Sequence, residues 1–183
     1  PNNATLVLAG DFEKEDAKAL IEKYFGEIKK RQEVAPLEPQ RVTLSETKRF
    51  YHEDNFARAP QLHMVWPTLE QYTEDAYALD FLAQLLSDGK KAPMYKVLVK
   101  EKELTSRVSS YNNSQELAGE FHVVVTANSG KNLAEVETAI MESFQKFEEE
   151  GVSEKDVERI KASLETGFYN SISSVLGKSF QLA

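Results

Sequence analysis

The sequence predicts an α+β domain: a mixed or antiparallel sheet of about five strands, helices packed on one face, and two long helices at the C-terminal end. Three observations carry this. Period-two alternation in runs such as Gln61–Trp66 and Phe121–Val125 marks strands with one buried face. Apolar residues three and four apart, from Ala17 to Phe25, from Ala76 to Leu86 and from Leu133 onward, mark amphipathic helices. With 183 residues, 41% of them hydrophobic and 10% aromatic, the chain can enclose one core, so residues 1–183 are expected to form a single domain.

Taken in order, Thr5–Ala9 is a nearly unbroken apolar run, the pattern of a strand covered on both faces, and Gly10-Asp11 follows as a turn with a side-chain oxygen placed to cap a helix. That helix carries Ala17, Leu20, Ile21, Tyr24 and Phe25 on one side, and Gly26 stands where a left-handed C-terminal residue is expected. Lys29 to Pro39 is charged and aperiodic, hence a connecting loop. Val42–Glu53 alternates loosely and suits an outer strand; Gln61–Trp66 suits a half-buried one stopped by Pro67. Thr73 is placed to cap a helix ending at Ser87-Asp88-Gly89, and Pro93 to open a shorter one through Met94, Val97 and Leu98.

Arg107–Tyr111 and Ala118–Thr126 read as a hairpin joined through Asn112-Asn113-Ser114-Gln115. Leu133, Val136, Ile140, Phe144 and Phe147 mark the first long terminal helix; Val157, Ile160, Leu164, Phe168, Ile172 and Val175 mark the second. Gly151 separates them, and Ser153 with Asp156 resembles a capping box. The first residue is Pro1, and Val175–Ala183 is apolar without turn chemistry, so the chain is expected to be a fragment of a longer multidomain protein.

Charge and motifs exclude several functions. Lys plus Arg number 22 against 30 Asp plus Glu, a net −8, and no basic cluster offsets that field, so no nucleic-acid partner is expected. No apolar run approaches the roughly 18–20 residues of a membrane-spanning helix, so no membrane span is expected, and no basic-then-apolar leader is present. Cysteine is absent, which removes thiol nucleophiles and Cys-based metal sites.

His52-Glu53 begins like H-E-x-x-H, but Phe56 occupies the fifth position, and H-x-x-E-H fails at His52, His63 and His122 alike. His63 and His122 lie on predicted strands as ordinary half-buried imidazoles. Ser106, Ser109, Ser110 and Ser114 form no Gly-x-Ser-x-Gly elbow, Gly89-Lys90-Lys91 lacks the phosphate-loop pattern, and Glu148-Glu149-Glu150 reads as a solvated helix end. No catalytic, cofactor-binding or metal-binding residue is assigned.

Several segments together resemble the second, non-metal domain of insulinase/pitrilysin-family zinc peptidases. They are Pro1–Phe12 followed by Ala19–Gly26; Asp75–Leu79 leading to Leu85–Gly89; Met94–Leu98; Lys100–Leu104; and the turn Gly151–Val157. The resemblance covers essentially the whole chain and implies a processing-peptidase-like metallohydrolase domain.

In that family two halves close around an unfolded peptide, and one half's first domain holds zinc through H-x-x-E-H and a distal Glu. None of those residues is present, so zinc is expected only in an upstream domain. The other half contributes an Arg and a Tyr seven residues apart that steady the developing oxyanion. Val99 stands here where the Arg would be and Ser106 where the Tyr would be.

The resemblance therefore implies a structural and chamber-lining domain of a zinc metalloendopeptidase, from the zinc-bearing half and inactive in isolation. Its partners would be the zinc-bearing first domain, the complementary half and peptide substrates, with the strand near Arg107–Asn112 as a candidate peptide contact. A non-catalytic scaffold or peptide-binding subunit of the same fold is the alternative, and an independent binding module the third.

Overall fold

Alternation of Phe121, Val123 and Val125 builds β3 (Gly119–Thr126), the centre of a three-stranded antiparallel sheet in the computed structural model, which describes residues 2–183. On one side lies β1 (Gln61–Thr68), on the other β2 (Val108–Ser114), giving the order β1-β3-β2. Registers run from Gln61↔Thr126 to Thr68↔Gly119 and from Val108↔Val125 to Ser114↔Gly119.

The fold class α+β is observed, but the sheet has three strands among the described residues rather than about five. Thr5–Ala9 and Val42–Glu53 form no strand there. A strand exists only where a neighbour answers its N–H and C=O groups, and apolar content cannot supply that partner. Leu6, Leu8, Val42 and Leu44 accordingly remain exposed. The 38–60 segment is held by isolated ties instead: Gln40 N–H to the Leu117 carbonyl at 2.7 Å, and forked pairs from Arg41 to Glu70 and from Arg49 to Glu137.

Pro67 does not stop β1. Ser110 turns its N–H away from β3, so Ser110–Val123 is a non-hydrogen-bonded pair and Val123 bonds toward Met64 on β1. By the same alternation Pro67 directs its nitrogen to the free edge, where a missing N–H costs nothing. The hairpin also runs longer than predicted: β2 continues through Asn112–Ser114, and the turn closes with Gln115 N–H to the Ala118 carbonyl at 2.9 Å.

The chain divides into two compact units. The larger, Glu38–Ile160, contains the sheet and its helices. α1 is the Lys14–Phe25 helix of the smaller unit; in the larger, α2 (Glu74–Ser87) starts at Thr73, whose Oγ1 accepts Ala76 N–H at 3.2 Å as expected, and Gly89 follows with φ +79°. After Pro93 the chain enters a π-helix, Tyr95–Glu101, in which Lys102 N–H reaches the Val97 carbonyl five residues back. α3 (Leu133–Glu150) is capped by Asn132 and ends at Gly151, φ +68°. α2, the π-helix and α3 cover the Phe121–Val123–Val125 face. Met94, Val97, Leu98, Val123, Val125, Val136 and Ile140 are fully enclosed.

α4 (Glu154–Ser171) opens at Ser153, whose hydroxyl donates to Asp156 Oδ2 at 2.5 Å and accepts Asp156 N–H at 3.2 Å. Aspartate, one methylene shorter than glutamate, takes the serine hydroxyl where a full capping box would reach the backbone N–H. The second long helix predicted through Val175 is in fact two. Ser171 and Ser173 return their hydroxyls to the carbonyls of Phe168 and Asn170, and Ser174 caps a new helix, α5 (Val175–Leu182), by accepting Gly177 N–H at 3.0 Å. Short hydroxyl side chains compete with the helical ladder, so a continuous apolar stripe does not ensure a continuous helix.

The smaller unit is the chain up to Leu37 together with Lys161–Ala183, and so includes α1, α5 and the last turns of α4. α1 begins after Glu13 without a side-chain cap, so Asp11 does not serve as one. Gly26 is right-handed, φ −63°, ψ −26°, rather than left-handed; it extends the helical turn through N–H to the Glu22 carbonyl at 2.8 Å.

Candidate functional site

The Val99–Ser106 segment is shaped by packing. Val99 lies on the π-helix against the core, while Leu104 and Thr105 are buried. Thr105 Oγ1 donates to the Thr126 carbonyl at 2.6 Å and accepts Arg107 N–H at 3.2 Å, which ties the end of this segment to β3. Glu103 adopts φ +51° between the π-helix and that anchor. Ser106 is exposed. Neither Val99 nor Ser106 can present a cation or phenol to a carbonyl oxygen.

On β2, Ser109 and Tyr111 face away from the core. Ser110 is committed to α2: its N–H donates to Ser87 Oγ at 3.0 Å and its hydroxyl to the Ala83 carbonyl at 2.8 Å. Asn112 Nδ2 donates to the Ala76 carbonyl, Asp80 Oδ1 and Ser114 Oγ at 3.0–3.3 Å. The serine-rich strand read as a peptide edge thus spends its central outward N–H on its own helix. Ser114 belongs to the same hairpin corner, far from Ser106.

The outer sheet face brings together groups that look unrelated in sequence. His63 and His122 are diagonal neighbours on β1 and β3, with Nε2 and Nδ1 2.9 Å apart. Tyr111 stacks on His122, centroids 4.6 Å apart and planes 14° apart. Glu120 Oε2 lies 3.2 Å from His122 Nε2. Strand alternation in the sequence places each residue on this face, but pairing them requires the register.

Glu120 meets the far nitrogen of His122, so the donors do not converge, and His52 is exposed in the 38–60 segment. Among the described residues no group of three or more His, Asp or Glu could hold a metal ion. The donor set does not fit zinc.

The helical surface is laced with ion pairs. Hydrogen bonds from the Arg41 fork hold Glu70 down at about 2, and the Arg49 fork lowers Glu137. Lys102 lowers Glu142, while Glu101 raises Lys146. An open depression of about 520 Å³ is lined by Lys102, Leu104, Lys131, Ala134, Glu135 and Thr138; it holds no imidazole and no serine. Pairing explains these charges without a ligand.

With this geometry in place, residues 1–164 match the model of the peptidase M16 inactive domain. The chain belongs to that family. The M16 assignment bears out the resemblance to insulinase/pitrilysin zinc peptidases. The chain is 22% identical over 179 residues to the zinc protease PqqE of Helicobacter pylori, across 95% of this chain and 40% of that protein.

The solved structure of a protease from Helicobacter pylori superposes with a TM-score of 0.72 at 19% identity, covering 92% of this chain and 41% of that one. The periplasmic protease PqqL from Escherichia coli superposes with a TM-score of 0.59 at 18% identity, covering 93% and 19%. This M16 domain therefore spans about two fifths of the length of the curated relative it matches.

Proposed function

We propose that this M16 domain is the supporting, chamber-lining part of a zinc metalloendopeptidase, that it works beside a zinc-bearing first domain and a complementary half, and that it is inert alone. The observation that carries this reading is the Val99–Ser106 segment. At the two positions where the resemblance would put Arg and Tyr, it holds a packed valine and an exposed serine. A domain without the oxyanion pair suits the half that already carries zinc, where metal polarises the carbonyl.

Peptide contact on β2 falls to the side chains of Ser109 and Tyr111, because Ser110 N–H already serves α2. Tyr111 offers a flat apolar face with a polar tip on the open side of the sheet.

The deciding experiment measures zinc content and peptide cleavage for this chain alone and for the full-length protein. The reading requires chelator-sensitive cleavage and bound zinc in the full-length protein only. Stoichiometric zinc and cleavage in the chain alone would overturn it, and inactivity in both would favour a scaffold. Tyr111→Ala in the full-length enzyme is expected to raise KM with kcat little changed.

A further inference from the structure

Outside the role just proposed, His122 is an unusual group for an outer sheet face. It is 7% exposed, is covered by Tyr111 on one side, and meets His63 through Nδ1. Its Nε2 lies within ion-pair distance of Glu120 but off the axis of a directed hydrogen bond. A buried imidazole is thus held between a second imidazole and a carboxylate, with one nitrogen incompletely served.

Counting protons shows what this arrangement tolerates. The 2.9 Å contact between the rings requires one nitrogen to donate and the other to accept. With both rings neutral, His63 donates from Nε2, and His122 accepts at Nδ1 while pointing Nε2–H toward Glu120. One added proton is also accommodated: His122 becomes the cation beside Glu120 and donates from Nδ1, while His63 changes tautomer, giving up its Nε2 proton and carrying one on Nδ1. A second added proton leaves N–H facing N–H, with no acceptor between two cations.

We propose that Glu120, His122 and His63 form a proton-counting latch that fastens edge strand β1 to β3 while at least one facing nitrogen is bare and releases it when both rings are charged. The titratable groups facing the pair are Glu120 on β3 and Tyr111 on β2; among the described residues no lysine or arginine is bonded to the cluster. β1 is the strand that responds. It lies at the sheet edge and pairs with β3 alone.

The test records imidazole nitrogen spectra of the intact 183-residue chain from about pH 8 to about pH 4.5, the range in which histidine changes charge. Backbone exchange of Met64 and Trp66 is followed in parallel and corrected for intrinsic rate. The latch requires two proton-dependent steps in the His122 signals of the wild type and a single step in His63→Gln.

Exchange in β1 is expected to quicken about tenfold as the second step completes in the wild type, and to show no such step in His63→Gln. His63 is exposed, so this variant is expected to fold; His63→Asn provides a second version. Identical His122 curves in wild type and variant, or exchange in β1 without a step, would overturn the latch.

Discussion

The backbone N–H of Ser110 donates to the hydroxyl of Ser87 at 3.0 Å, so the end of α2 occupies the outer edge of β2. Ser87→Ala should leave that N–H without its acceptor. A loss of about 1–2 kcal/mol is expected in urea unfolding, together with faster exchange at Ser110. An unchanged urea midpoint would mean that water replaces the hydroxyl and that this edge is more open than its geometry indicates.

Gly119 sits where the end of β1, the end of β2 and the start of β3 crowd. A Cβ there would overlap the Leu69 carbonyl and press on the Thr68 and Ser114 hydroxyls. Backbone cannot swing aside as a long side chain can, so Gly119→Ala is expected to cost about 1–3 kcal/mol, read by chemical denaturation. Ala118→Gly, one residue earlier in the turn, supplies the control for local backbone effects.

Arg41 and Glu70 give a pH signature. Glu70 is held at about 2 against an ordinary value of 4.5, chiefly by the hydrogen bonds of the Arg41 fork at 2.8 and 3.0 Å. Because the folded value is the lower one, this stabilisation is complete above the unfolded value and is lost as pH falls from 4.5 toward about 2. Wild type should therefore lose its advantage over Arg41→Met across that window, with the difference reduced by added salt. Parallel curves for the two proteins would remove the pair from the account of stability.

Leu98 is fully buried on the π-helix, among the residues that join this segment to the sheet. Leu98→Ala should cost about 2–5 kcal/mol, the range for a core leucine whose cavity closes only in part. Val99, only partly buried, should be more forgiving, and Val99→Ala is expected to cost less in the same denaturation series.

Local chemistry explains why much of the fold was readable. Thr73 caps α2 and Gly89 turns left-handed because both features depend on residues within one turn of the chain. The apolar faces of α2, α3 and β3 meet the core for the same reason: periodicity is a local property and burial follows it.

Reciprocal features were beyond that reach. Thr5–Ala9 and Val42–Glu53 have strand-like composition, but strand formation depends on a neighbour that composition does not specify. The break between α4 and α5 turned on whether hydroxyls at Ser171, Ser173 and Ser174 bond to the backbone or to water.

By itself, then, the sequence determined the α+β class and the M16 likeness, because these rest on residue identity and short-range periodicity. Only tertiary structure decided that the sheet has three strands among the described residues, that Ser110 belongs to α2, and that His63 meets His122. Each of these depends on strand register, and register is a relation between segments far apart in the chain.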